Sequence, residues 1–200
     1  MKLTKNELRI QQTRLAELRR YLPTLQLKKS MLQYEVDNAE REIIVLQEDS
    51  QIIFERVEAF SPLLLEKVDC NLLAYADVQH VMKTYENIAG VEIPQFKRVQ
   101  FRDVEYSLFD TPVWTEAATD LLRNLVVSRE KVAVAKEKHR ALLKELREVS
   151  IRVNLFEKVL IPRAMNHIKR IRIFLSDQQL AAVAQAKVAK EKLRLKRNRS

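Results

Sequence analysis

TKNELRIQQTRLAELRRYLPTLQLKKSMLQYEVDNAEREIIVL, residues 4–46, is the stretch on which the fold turns. Counted in sevens, one set of positions reads Leu8, Leu15, Leu22, Lys29, Val36, Ile43. The set three residues further on reads Gln11, Leu18, Leu25, Leu32, Ala39, Leu46 and then Ile53. A straight α-helix would carry such a row slowly around its axis. The row stays on one seam only if two helices wind about each other, so a repeat sustained this long predicts a coiled coil. Thr4 and Glu7 have the spacing of a capping box, in which side chains satisfy the free amides of a first turn. The helix is expected to run to about Phe60, where Ser61-Pro62 interrupts it. Pro23 lies inside, and its missing N–H and bulky ring predict a kink.

A second seam lies in the last third of the chain. It reads Leu121, Leu125, Val132, Ala135, Leu142, Leu146, Val149, Val153, Phe156, Leu160, and then lengthens its step to Ala164, Ile168, Ile171 and Leu175. Such a step is a stutter that locally unwinds a supercoil, and Pro162 sits on it. Asp110-Thr111-Pro112 reads as the helix start, with Trp114 anchoring the middle region against it. A helix from there to about residue 195 would span roughly 120 Å.

Between the seams, residues 61–112 change character. Pro62, Pro94, Pro112 and Gly90 fall here. Val99, Phe101, Val104, Tyr106 and Leu108 give a partial alternation with a slip near Asp103. Residues 72–89 fit either a helix or a strand, because Val78, Val81, Met82, Tyr85 and Ile88 suit one helical face yet are rich in β-formers. The expected fold is therefore mainly α: a long antiparallel two-helix coiled coil with a small α+β head, including a β-hairpin, in the middle of the chain. The expected divisions are 1–60 for the first helix, 61–112 for the head, and 113–200 for the second helix with a projecting basic end.

If the helices pair antiparallel about the head, opposed residue numbers sum to roughly 176. The last ~25 residues would then continue past the N-terminus as a single helix, which is marginal in water without a partner. Charge follows the same geometry. Residues 1–29 hold 8 basic and 2 acidic side chains, residues 150–200 hold 13 and 3, and residues 30–149 hold 15 and 22. Both chain ends are basic and the middle is acidic. The strongest run is the tip with Lys187, Lys190, Lys192, Arg194, Lys196 and Arg197.

Reactive chemistry finds little footing. The chain has 1 glycine, so a glycine-rich phosphate cradle is excluded. His80, His139 and His167 are scattered without Cys or carboxylates at ligand spacing, so no metal site is expected. His139 and Lys29 occupy seam positions, where a lone polar residue sets register. Cys70 stands alone, which suits a reducing compartment and a structural role. No run is apolar enough to span a membrane, and the first residues have no secretory-signal core. No catalytic residue and no cofactor is expected. From charge alone, the basic tip suits a solvated helix end, an acidic protein surface or nucleic acid. A nucleic-acid-binding coiled-coil arm is the rival reading, against which residues 1–50 offer Tyr21 and Tyr34 as their aromatics.

Three segments resemble the D subunit of the V-type and A-type (archaeal and bacterial) rotary ATPases. Arg152-Val153-Asn154-Leu155-Phe156-Glu157 followed by Ile161-Pro162 resembles that family's R-V-N-A-L-E…I-P segment. Asn87-Ile88-Ala89-Gly90-Val91-Glu92-Ile93-Pro94 resembles its N-x-M-G-V-x-V-P segment. Leu25, Lys28, Lys29 and Leu32 resemble its L-L-K-x-K-R-D-x-L segment, with Ser30 in place of the Asp. The resemblance implies a non-catalytic rotor shaft on the cytoplasmic side of a membrane. Its implied partners are a hexamer of catalytic and regulatory nucleotide-binding subunits, a small stalk subunit, and a funnel subunit on the membrane rotor ring. It implies torque transmission that couples ATP synthesis or hydrolysis to proton or sodium transport.

Overall fold

The computed structural model describes residues 3–60, 72–103 and 112–197. Helix α1 is Lys5–Ala59 and α2 is the single turn Leu72–Tyr75. Strands β1 (Val78–Ile88) and β2 (Val91–Phe101) form an antiparallel hairpin. Helix α3, Thr115–Leu155, passes through a π-helical turn, Phe156–Leu160, into α4, Ile161–Arg197. The chain divides into two compact units: Lys28–Glu148, and Met1–Leu27 with Val149–Ser200.

Helix α1 starts as its capping pair predicts. The Thr4 hydroxyl accepts from the Glu7 N–H at 3.2 Å, satisfying one amide of the open first turn. The helix then continues through Pro23 to Ala59. The second long helix begins later than the sequence suggests, at Thr115, after a turn in which the Thr115 N–H donates to the Pro112 carbonyl at 3.0 Å. Asp110 and Thr111 lie outside the described residues, as does Cys70. Trp114 is half-buried in that turn.

In the unit Lys28–Glu148, α1 and α3 run antiparallel. Lys28 meets Glu145 at 2.7 Å, Glu42 meets Lys138 at 2.8 Å, and Ser50 meets Ser128 at 3.2 Å, so one number falls as the other rises. These pairs sit within a few residues of the expected register. Leu32, Val36 and Ala39 from α1 are buried, as are Leu125, Val132, Ala135, Leu142 and Leu146 from α3. The second unit repeats the arrangement, with Arg19 Nη2 at 3.6 Å from Met165 Sδ and Leu18, Val153, Ala164, Ile168 and Ile171 buried.

Residues 78–88 are strand. Ala89 (φ 52°) and Gly90 (φ 83°) form a two-residue turn with both φ positive, the twist that brings two strands back together. The Asn87 side-chain oxygen accepts from the Gly90 N–H at 2.9 Å and holds that turn. Val99 and Phe101 face inward as the alternation predicts, and β2 stops at Phe101. Val104, Tyr106 and Leu108 lie outside the described residues.

The hairpin lies along the paired helices of its unit. Ile93 is fully buried and Pro94 nearly so. Pro94 and Phe96 share a lining with Leu46 of α1 and Val134 of α3. Lys131 Nζ lies 5.9 Å from the Phe96 ring centre, and the Arg123 guanidinium 5.2 Å from that of Phe101. Arg123 also donates to the Tyr75 carbonyl at 2.9 Å, tying α2 to the same helix. Lys83 pairs with Glu137 at 2.5 Å. Aromatic faces under cations and one ion pair thus fasten an element that is too small to be stable alone.

Candidate functional site: the seam, the π turn and the basic end

Burial on α1 and α3 separates the seam from the rest of each helix. Of the predicted seam residues, Leu18, Leu32, Val36, Leu142, Leu146 and Val153 are buried, and Leu8, Leu15, Leu22, Leu25 and Leu160 are half-buried. The shallower ones reflect the architecture, since two helices cover only one flank of each other. Lys29 and His139 are half-buried at seam positions. Lys28, one residue earlier, makes the ion pair with Glu145.

The stutter is resolved by a change of helix type. At Ile161 the N–H donates to the Phe156 carbonyl, five residues back, so the turn holds one residue more than an α turn. Pro162 explains the placement, because its ring would clash with the carbonyl four residues earlier and it has no N–H to donate. A widened turn relieves that clash and lets the seam resume at Ala164, Ile168 and Ile171. Val153 is buried immediately before the turn, while Arg152, Asn154, Glu157 and Pro162 are exposed. The two other motif residues, Gly90 and Pro94, belong to the hairpin, one at its turn and one in its buried face.

Beyond Ile171 burial fades. Leu175 is half-buried, and every residue from Ser176 to Arg194 is exposed. Among the described residues of its unit no helix covers this stretch of α4, which displays Leu180, Val183, Val188 and Leu193 to solvent. Lys187, Lys190, Lys192 and Arg194 are exposed on it, and the helix backbone continues through Lys196 and Arg197. An unpaired helix with exposed apolar and cationic side chains gains most from a surrounding surface that is part apolar and part acidic.

Among the described residues, the titrating group that departs from its ordinary value is Lys83. Its hydrogen bond to Glu137 holds the ammonium above 10.5, against the opposing cost of its partial burial. It fastens the hairpin and touches no cleft suited to a substrate. Among the described residues no group of three His, Cys, Asp or Glu could hold a metal ion. No described helix is long and apolar enough to cross a membrane.

Residues 7–191 match the family profile of the ATP synthase D subunit. The chain belongs to the ATP synthase D subunit family. It is 43% identical over 205 residues to the V-type ATP synthase D subunit of Chlamydia felis, covering 100% of this chain and 97% of that protein. Its identity to the V-type ATP synthase D subunit of Chlamydia pneumoniae is 42% over 201 residues, covering 100% and 96%. With the protein of the same name from Borreliella burgdorferi it shares 39% over 200 residues, covering 100% and 98%. In this member of the D subunit family the match embraces both seams, the hairpin and the π turn. An open groove lined by Arg129, Lys136 and Arg140 gave no sequence signal, since these cations are spread along one helix among many others.

Proposed function

We propose that the chain is the central rotor shaft of a V/A-type ATP synthase. It transmits torque between a hexamer of nucleotide-binding subunits and a membrane rotor that moves protons or sodium ions. What carries the reading is the end-to-end likeness to the V-type ATP synthase D subunit, joined to a fold made of two long antiparallel helices. The chain performs no catalysis itself and needs no cofactor. It works peripherally, on the cytoplasmic side of the membrane.

The physics of the parts fits an axle. Paired helices resist twisting because each seam side chain locks against the partner helix. The exposed end of α4 with Lys187, Lys190, Lys192 and Arg194 enters the hexamer, attracted by acidic surface over a distance without being fixed at one orientation. The faces of the coil differ, since one flank carries the hairpin, so the surrounding subunits meet different surfaces as the shaft turns. The hairpin region and its neighbours meet the small stalk subunit and the funnel subunit. The expected divisions 1–60, 61–112 and 113–200 are assigned on this basis to shaft, stalk contacts and shaft with tip.

Native mass spectrometry of the tagged chain isolated from its own cells tests the reading. Recovery with two kinds of nucleotide-binding subunit, each in several copies per copy of this chain, is expected. Recovery with nucleic acid and without those subunits would overturn it.

A further inference from the structure

Two flanks run beside the seam of the unit Lys28–Glu148, and the hairpin occupies one. Lys131, Val134 and Lys138 of α3 lie on that side. Among the described residues the other flank is open. Between α1 and α3 it holds a cavity of about 520 Å³ whose apolar lining is buried Val132, with Ala133 and the exposed Phe54 ring. Its rim on α3 is cationic: Arg129, Lys136 and Arg140, spaced so that all three share one helix face. The α1 side supplies uncharged Gln47, Ser50 and Gln51.

The charge pattern is unusual for its surroundings. Residues 30–149 carry 22 acidic against 15 basic side chains, yet among the described residues no carboxylate lines this cavity. The ion pairs described in the unit use Lys28, Lys83, Arg102 and Lys138. Arg129 instead lies 5.8 Å from the Phe54 ring centre, and the neighbouring Glu55 accepts from Gln51 at 3.3 Å. Along the same faces, one turn beyond the cavity on each helix, Leu143 is 41% and Ile44 51% exposed. An apolar strip is thus bordered on one side by three cations.

We propose that this open flank is a docking groove for one amphipathic α-helix of a partner protein, with an apolar ridge and a row of carboxylates facing Arg129, Lys136 and Arg140. The inference rests on the reading that the chain works inside a multisubunit complex. The hairpin shows the mode of attachment on the opposite flank. Ile93, Pro94 and Phe96 fill that flank, and charged contacts such as Lys83–Glu137 fasten its border. The open flank lacks only the inserted element and its acidic border. Its three cations span roughly 16 Å along α3, too long for one phosphate and suited to about three turns of a helix. The apolar lining favours a protein helix over a nucleic-acid backbone.

A photo-crosslinking amino acid at exposed Ala133, in the groove, probes the occupant in the complex isolated from cells. The expected product joins this chain to one subunit, within a helical peptide bearing several Asp or Glu. Crosslinks to a peptide without acidic residues, to nucleic acid, or to nothing in an otherwise complete complex would overturn the proposal. Lys136→Glu with Arg140→Glu should weaken retention of that subunit at least about tenfold, the order expected when interface charge is reversed. The nucleotide-binding subunits and the helical circular dichroism should stay unchanged. Wild-type retention by the double variant would refute the groove. A wild-type chain isolated without any ATP synthase subunit would instead refute the functional reading on which it rests.

Discussion

Two adjacent residues test the seam against the rest of the helix. Leu32 is 0% exposed and Met31 is 50% exposed. Leu32→Ala removes about three carbon groups from a dry interface, worth about 2.4 kcal/mol at ~0.8 kcal/mol each. The space left behind adds a cavity cost, which partial collapse of a two-helix layer keeps small. The total should be about 3 kcal/mol, inside the range of about 2–5 kcal/mol for buried Leu→Ala changes. For a chain of this size each kcal/mol lowers Tm by about 2–4 °C, so thermal unfolding followed by circular dichroism should fall by about 6–12 °C. Met31→Ala keeps helix propensity and loses little packing, so it should stay within about 0.5 kcal/mol of the parent. Equal losses from both substitutions, or a loss under about 1 kcal/mol from Leu32→Ala, would refute the assignment of the seam.

Other outcomes follow from the hairpin and the tip. Because Glu137 raises the Lys83 pKa above 10.5, the folded state favours the protonated ammonium; its stabilisation is complete below about pH 10.5 and is lost as pH climbs through the raised value. Amide exchange in β1 and β2, measured against pH, should therefore rise in that alkaline window, and Lys83→Met should remove that component. Ala89 sits at φ 52°, a conformation glycine adopts without cost, so Ala89→Gly should stabilise the hairpin by up to about 1 kcal/mol in chemical denaturation. Gly90→Val, at φ 83°, should destabilise it by about 1–2 kcal/mol. Charge reversal at Lys187, Lys190 and Lys192 should weaken assembly with the nucleotide-binding hexamer and flatten its salt dependence. Assembly unchanged in both respects would remove electrostatic attraction from the account.

The seams were legible because coiled-coil packing imposes one repeat on many residues. Leu18, Leu32, Val36, Leu142 and Val153 fall on that repeat, and their burial follows from it. The first strand was ambiguous for an identifiable reason. Register shifts between Val78 and His80 and between Met82 and Lys83 break its alternation, so its inward residues are spaced like a helix face. The turn uses Ala-Gly instead of the more telling Asn-Gly. The start of α3 was placed a few residues early because Pro112 supports a turn before the helix as readily as a first helical residue. Pro162 marked the irregularity in the second helix, but a proline inside a helix can be met by a kink as well as by a widened turn, so the π form was not legible. The hairpin's position along the coil depended on contacts such as Lys131–Phe96, between residues far apart in sequence.

A rotor shaft must turn. With the nucleotide-binding hexamer held to a surface, a bead attached at Tyr85→Cys, an exposed hairpin position, in a chain whose Cys70 is replaced by Ser, reports that motion directly. Continuous one-way rotation is expected on adding ATP, stopping when ATP is removed. A bead that stays still while the same complexes hydrolyse ATP would contradict it.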